Sequence, residues 1–222
     1  MTWITNKIWQ WPDGLVWKMT HGLTVGSRRK KFKTFMKMLA PTSSTTILDV
    51  GVSGAARGVR AENFLEEWYK YPEMITAVGV DDLSAFKKRY PQVAVVQTDG
   101  GRLPFDDKQF DVVFSNAVIE HVGGRQRQQA FVAECLRVGK RVFLTTPSRS
   151  FPIESHTMLP FVHWLPTDAR NIIYQSLGRK DEGTPGRLTL LSERSLRKLF
   201  PSKVRIIRQR LLGITSVLIA IT

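Results

Sequence analysis

The sequence predicts an α/β protein: a doubly wound, mostly parallel seven-stranded sheet with helices on both faces and an antiparallel C-terminal strand. Three observations predict it. Five short, nearly continuous apolar runs occupy 45–51, 75–81, 93–99, 110–117 and 141–147, as expected for strands covered on both faces. Helical patterns at 58–70, 83–90 and 125–138 separate most of them, and that alternation is what a parallel sheet with helical crossovers requires. The last two runs, 204–212 and 216–222, are linked only by Gly213-Ile214-Thr215, too few residues for a crossover, so they pair antiparallel.

The elements follow in order. Residues 1–41 read as a separate helical extension, basic and rich in tryptophan (Trp3, Trp9, Trp11, Trp17), that packs on the domain of residues 42–222. Ile4, Ile8, Trp11 and Leu15 stand at helical spacing, and Pro12-Asp13-Gly14 interrupts them. Phe32, Phe35, Met36 and Leu39 form a second apolar stripe, with the basic run Arg28-Arg29-Lys30-Lys31 on the other face and Pro41 as the stop. After residue 150 the pattern gives way to a proline-bearing stretch (Pro152, Pro160, Pro166, Pro185). A short helix from Ser192 to Leu199 begins at a serine cap. Residues 151–190 form an insertion at the ligand edge of the sheet, expected to act as a lid.

Composition bounds the class. A chain of 222 residues suits one core. Its single cysteine, Cys135, excludes an internal disulfide and reads as a small core residue in the third helix. No run is long enough to span a bilayer and the N-terminus lacks a secretory pattern, so a cytoplasmic location is expected. The net charge of +14 is uneven: about +7 lies in residues 1–41, +1 in 42–150 and +6 in 151–222. Basic ends attract anionic partners, and nucleic acid or an anionic membrane surface met through 1–41 are the alternatives to a plainly solvated face. No metal is expected. The sequence leaves the oligomeric state open.

The chemistry concentrates at strand ends. Ile47-Leu48-Asp49-Val50-Gly51-Val52-Ser53-Gly54 reads as a strand that ends in an acid and turns through glycines into a helix. Asp81 and Asp99 close the next two strands, and all three acids should meet at the carboxyl edge, where ligands sit in such sheets. An acid after the second strand can accept from a ribose diol, and one after the third from an adenine amine. The glycines lack the following Lys-Ser/Thr of a phosphate loop, and their spacing misses the dinucleotide fingerprint. A carboxylate in that turn suits a ligand carrying a cationic group.

From Thr45 to the C-terminus the chain resembles the class I S-adenosylmethionine-dependent methyltransferases, in particular the small single-domain bacterial enzymes of type 11, with a Rossmann-like sheet. Three segments carry the resemblance: the glycine motif 47–54; Thr98-Asp99-Gly100-Gly101-Arg102-Leu103-Pro104-Phe105-Asp106-Asp107 leading into Phe110-Asp111-Val112-Val113; and Ser115-Asn116-Ala117-Val118-Ile119-Glu120-His121-Val122. The resemblance implies S-adenosyl-L-methionine as cofactor. Asp49 and Gly51 would line its methionine end, with the backbone of Val52, Ser53 and Gly54 passing over it. Asp81 or Asp82 would hold the ribose, strand length favouring Asp81. Asp99 and Gly100 would read the adenine, Asn116 and Ala117 would border the sulfonium and the substrate entrance, and His121 would lie beside the cofactor. The glycine motif departs from the family in reading Val52-Ser53-Gly54-Ala55, without the usual third glycine.

Methyl transfer from a sulfonium is an in-line displacement, and a general base is needed only for a protonated nucleophile. His156, Glu154 and His121 are the candidates, with His163 a further histidine on the same side. The expected acceptor is a small molecule, lipid-like or a secondary metabolite, bound beneath Phe151, Phe161, Trp164 and Tyr174 of the insertion. Nucleic-acid methylation and cofactor binding without catalysis are the alternatives.

Overall fold

The computed structural model describes residues 15–54, 63–154, 159–176 and 188–222, with side chains from residue 22 onward. The N-terminal tryptophans Trp3, Trp9 and Trp11 lie outside these residues, as does His156.

Helix α1 (Leu15–Leu39) leads into β1 (Ile47–Val50), α2 (Phe64–Trp68), β2 (Ile75–Gly79), α3 (Ser84–Arg89) and β3 (Ala94–Gln97). The chain continues through β4 (Phe110–Asn116), α4 (Arg125–Val138), β5 (Gly139–Pro147), α5 (Thr167–Ser176), α6 (Glu193–Arg197), β6 (Arg205–Leu211) and β7 (Ile214–Ile221). The seven strands form one sheet in the order β3-β2-β1-β4-β5-β7-β6. β7 runs antiparallel to both β5 and β6, and every other pairing is parallel. The doubly wound sheet is therefore as expected. The order reverses at β1, between β2 and β4, and that switch point opens a crevice at the carboxyl ends of the strands.

Both faces are covered. One carries Ile47, Ile75, Phe114 and Phe143 against Phe35 of α1 and Phe64 of α2. The other carries Leu48, Val113 and Leu144 against Val132 and Cys135 of α4 and Leu196 of α6. Burial pushes the Cys135 thiol up to about 12, so it is an inert core group.

Helix α1 is held at its C-terminal half. Phe35 is fully buried and meets Phe114 and Phe143 edge-on, with ring centres 5.2 and 5.3 Å away, while those two rings stack at 5.5 Å. The helix ends where Arg141 of β5 donates to the Met38 and Leu39 carbonyls, supplying partners for backbone groups that have none within the helix.

The Leu-Pro-Phe-Asp and Phe-Asp-Val-Val patterns prove to be ties between elements. Arg137 of α4 donates to the carbonyls of Leu103 and Phe105 and to the carboxylates of Asp107 and Glu134. Glu134 in turn accepts from the Leu103 N–H. Asp111 accepts from Thr46 N–H, Thr46 Oγ1 and Lys140 Nζ, joining the start of β1 to β4 and β5, and these donors hold its carboxyl down at about 2.

Phe35→Ala leaves a cavity against the Phe114 and Phe143 rings and removes the anchor of α1. The expected cost is about 3–5 kcal/mol of unfolding free energy, read by urea titration.

Candidate active site

The crevice at the switch point is a cavity of about 940 Å³. Its floor comes from residues 50–53 after β1 and 78–81 after β2. Residues 98–103 after β3 and the segment after β4 (Ala117, Val118, His121, Val122) form its rims, and one face of α4 closes a side.

Local chemistry explains why the backbone opens here. Gly51 turns at φ +96°, and its N–H and that of Val52 both donate to the Val78 carbonyl, at 2.7 and 3.0 Å. A Cβ on Gly51 would stand 2.3 Å from Val118 Cγ2, so only glycine lets the two rims approach. Gly54 is small for another reason: a Cβ there would lie 1.8 Å from the Asp82 carbonyl oxygen. On the opposite rim Ala117 adopts φ 58°, a conformation costly for alanine, while its N–H donates to Thr145 O.

The aspartates divide by role. Asp81 is exposed and lines the cavity, and its carboxylate has no hydrogen bond or ion pair among the described residues. Asp82 does not line it. Its Oδ1 accepts from Ser84 N–H and Oγ, starting α3, and those bonds lower its pKa. Asp99 lines the cavity with one oxygen bonded to the Gly101 N–H at 2.9 Å. The adjacent Thr98 hydroxyl accepts from the Gly100 N–H, which fixes the turn that presents both groups. Exposed Val80, with Leu103 and Phe131, adds apolar wall beside them.

Asp49 departs from expectation. It stands inside β1, paired with Ala77 and Phe114, rather than at the strand's end, and it does not line the cavity. Alternation along the strand gives Val50 to the cavity and Asp49 to the opposite face, where it meets Glu66 of α2. Burial raises both carboxyls, Asp49 well above the usual range with Glu66's charge adding to it, and Glu66 to about 7. Two carboxyls in one buried place share a proton.

Asn116 and Gly54 also lie off the cavity wall. Asn116 Oδ1 accepts from Thr145 Oγ1 at 2.8 Å and from Lys31 Nζ at 2.6 Å. Sequence reading missed Lys31, which looks like one of four surface cations. It is 8 % exposed and lies over the Phe64 ring, and burial, with Arg28's charge, lowers its pKa to about 8 against the opposing pull of Glu120. The signal available in the sequence was its position: Lys31 is four residues before Phe35, on the apolar stripe. Thr98, Arg102, Val118, Arg127 and Glu134 line the cavity without having been singled out.

Of the candidate bases, His121 lines the cavity rim. Glu154 is buried, with its N–H bonded to the Leu159 carbonyl, and is not part of that wall. Among the described residues no cluster of His, Cys, Asp or Glu could hold a metal ion. Among them, too, no helix is long and apolar enough to cross a membrane.

A switch-point crevice with acids after β2 and β3 and a glycine turn after β1 is the arrangement in which open α/β sheets hold their ligands. The family comparison narrows this further: residues 53–142 match the model of the methyltransferase domain. A probable S-adenosylmethionine-dependent methyltransferase of Mycobacterium tuberculosis is 36% identical over 80 residues, which are 34% of this chain and 28% of the relative. The match thus spans under a third of that protein. Among solved structures, the methyltransferase domain of bacterial CtHen1-CN superposes with a TM-score of 0.54 at 15% identity, covering 87% of this chain and 97% of that one. Magnesium protoporphyrin IX methyltransferase of Synechocystis PCC 6803, with bound S-adenosylhomocysteine, gives 0.52 at 14% identity, covering 94% and 87%. Residues 53–142 thus match a methyltransferase domain, and the fold is the one these solved methyltransferase structures share.

The Asp49–Glu66 pair generates a test. Between about pH 4.5 and about 7 the folded state keeps a proton on Glu66 that the unfolded chain has released, so stability falls as pH rises through that window. Glu66→Gln, neutral throughout, should flatten the fall. Urea midpoints at about pH 5 and about pH 8 should differ less in the variant than in the wild type.

Proposed function

We propose that this protein transfers the sulfonium methyl of S-adenosylmethionine to a small-molecule acceptor by in-line displacement. The observation that carries the proposal is the single crevice bounded by the ends of β1, β2, β3 and β4, with Asp81 and Asp99 on its wall. In this reading Asp81 accepts both ribose hydroxyls, and its lack of a competing partner among the described residues supports that role. The free oxygen of Asp99 accepts the adenine amine, beside the Gly100 backbone. Val80, Leu103 and Phe131 supply apolar contact for the base. Gly51, Val52 and Ser53 let the methionine portion lie along the main chain, where only glycine admits the approach of Val118.

The cofactor brings its own activated leaving group, so these residues act by holding and aligning it in a site that excludes water. Ala117 and His121, next to the β4 end, border the methyl carbon. An acceptor that arrives protonated gives its proton to His121 on the crevice rim. Asp49 acts indirectly, from beneath the turn, and Asp82 by fixing the loop that presents Asp81. The excess positive charge keeps one alternative in play, a nucleic-acid acceptor, which would show RNA affinity that falls steeply with salt.

Isothermal titration with S-adenosylhomocysteine tests the cofactor roles. Asp81→Ala and Asp99→Ala should each weaken binding by about ten- to a hundredfold, the loss of charge-assisted hydrogen bonds. Asp82→Ala should weaken it less. Equal affinities across the wild type and the first two variants would refute the assignment.

A further inference from the structure

A second cavity of about 510 Å³ lies beyond the end of β5, lined by Arg149, His163, Trp164, Arg170, Tyr174 and the segment 188–190. It is built from the insertion, apart from the crevice already described. Two cations face it, and among the described residues neither Arg149 nor Arg170 has an ion pair. Arg170 Nε is buried without a hydrogen-bond partner. His163 is 4 % exposed, and its Nδ1 also lacks a partner. Buried polar atoms left unpaired are costly and rare in folded proteins, and two of them beside one cavity, with a further cation on its wall, point to a ligand.

The site is held in place. The Arg149 N–H donates to the Leu191 carbonyl, and the Arg149 carbonyl accepts from Trp164 Nε1 at 2.7 Å and meets His163 Nε2 at 3.1 Å. That pairing makes Nε2 the protonated ring nitrogen and leaves Nδ1 as an acceptor for a donor group on the cavity's occupant. The segment 188–190 is tied towards the first crevice. Thr189 N–H donates to the Glu120 carbonyl, and the buried Gln128 side chain donates to the carbonyls of both Ile119 and Thr189, at 3.1 Å each. His121 and Val122, the next residues, line the first crevice. The wall of the second cavity is thus hydrogen-bonded to the segment that runs into the rim of the first crevice.

We propose that the second cavity is the acceptor's anion subsite: the guanidinium groups of Arg149 and Arg170 bind a phosphate or carboxylate of a small aromatic or apolar acceptor, with Trp164 and Tyr174 against its ring or chain. Planar guanidinium pairs suit oxyanions, and aromatic walls suit an apolar body carrying one charged group. This reading rests on the methyltransferase proposal for the neighbouring crevice, and it extends the insertion's role from cover to specificity.

Phenyl phosphate and benzoate serve as probes by isothermal titration, with S-adenosylhomocysteine titrated separately into the same proteins. In the wild type at least one probe should bind, and Arg149→Gln/Arg170→Gln should weaken it by about tenfold or more, with S-adenosylhomocysteine affinity and melting temperature unchanged. Arg149→Lys/Arg170→Lys, which keeps the charge, should recover part of the loss. The phosphate and carboxylate arms distinguish the two anion types. Probe affinity unaltered by the double substitution, or absent at millimolar concentration, overturns the subsite. Salt-dependent capture of an RNA oligonucleotide that the same substitution abolishes overturns the small-acceptor form of the proposal. Loss of S-adenosylhomocysteine binding in the wild type, with probe binding intact, would instead strike the crevice assignment and leave the anion subsite standing.

Discussion

The structure turns on the Val78 carbonyl. It accepts from two consecutive amides, Gly51 and Val52, and so decides where β1 stops and how its chain leaves the sheet. A strand that continued straight would fill the crevice. By bending at a positive φ, the chain leaves an open floor between β2 and β4, the two neighbours of β1. The opposite rim has the matching device in Ala117, also at positive φ and bonded back to β5. Two short backbone distortions, each anchored by a neighbouring strand, make a cavity at a place where a sheet would otherwise be closed by side chains.

The same geometry sorts charge. Carboxylates beyond the strand ends stay in water and available, as Asp81 is. The carboxyl inside β1, Asp49, is driven against Glu66, where one proton between two groups is easier to hold than two charges in an apolar interior. Lys31 is a third buried ionisable group on this face, bonded to Asn116. The face opposite the cavity is thus polar at its centre although it looks like core in sequence. Asp49 stands one residue before Val50, which reaches the crevice, so the polar group and the crevice lie on opposite sides of the same strand.

The parallel pairing of β1 to β5 was readable because strands covered on both faces are nearly continuous apolar runs, and such a run is visible in one dimension, although β3 at the sheet's edge stays largely exposed. The antiparallel β7 was readable from the shortness of its link to β6. The places of Asp81 and Asp99 followed from their standing one step past such runs. Asp49 was misplaced because a one-residue difference in where a strand ends reverses the face a side chain takes. Lys31 was misread because a cation within a basic run carries no mark of the pocket into which a helix will press it. Asp82 and Asp81 are chemically identical neighbours, and only the bonds to Ser84 separate them.

The sequence by itself determined the alternation of strands and helices, the glycine turn and the acids beyond the strands, because these are set by local periodicity and backbone sterics. Tertiary structure alone decided which polar groups are buried together, which aspartate remains free, and that Arg149 and Arg170 share a cavity with His163. Those outcomes depend on residues distant in the chain meeting at short range, where desolvation and hydrogen bonding, rather than local preference, fix what each group can do.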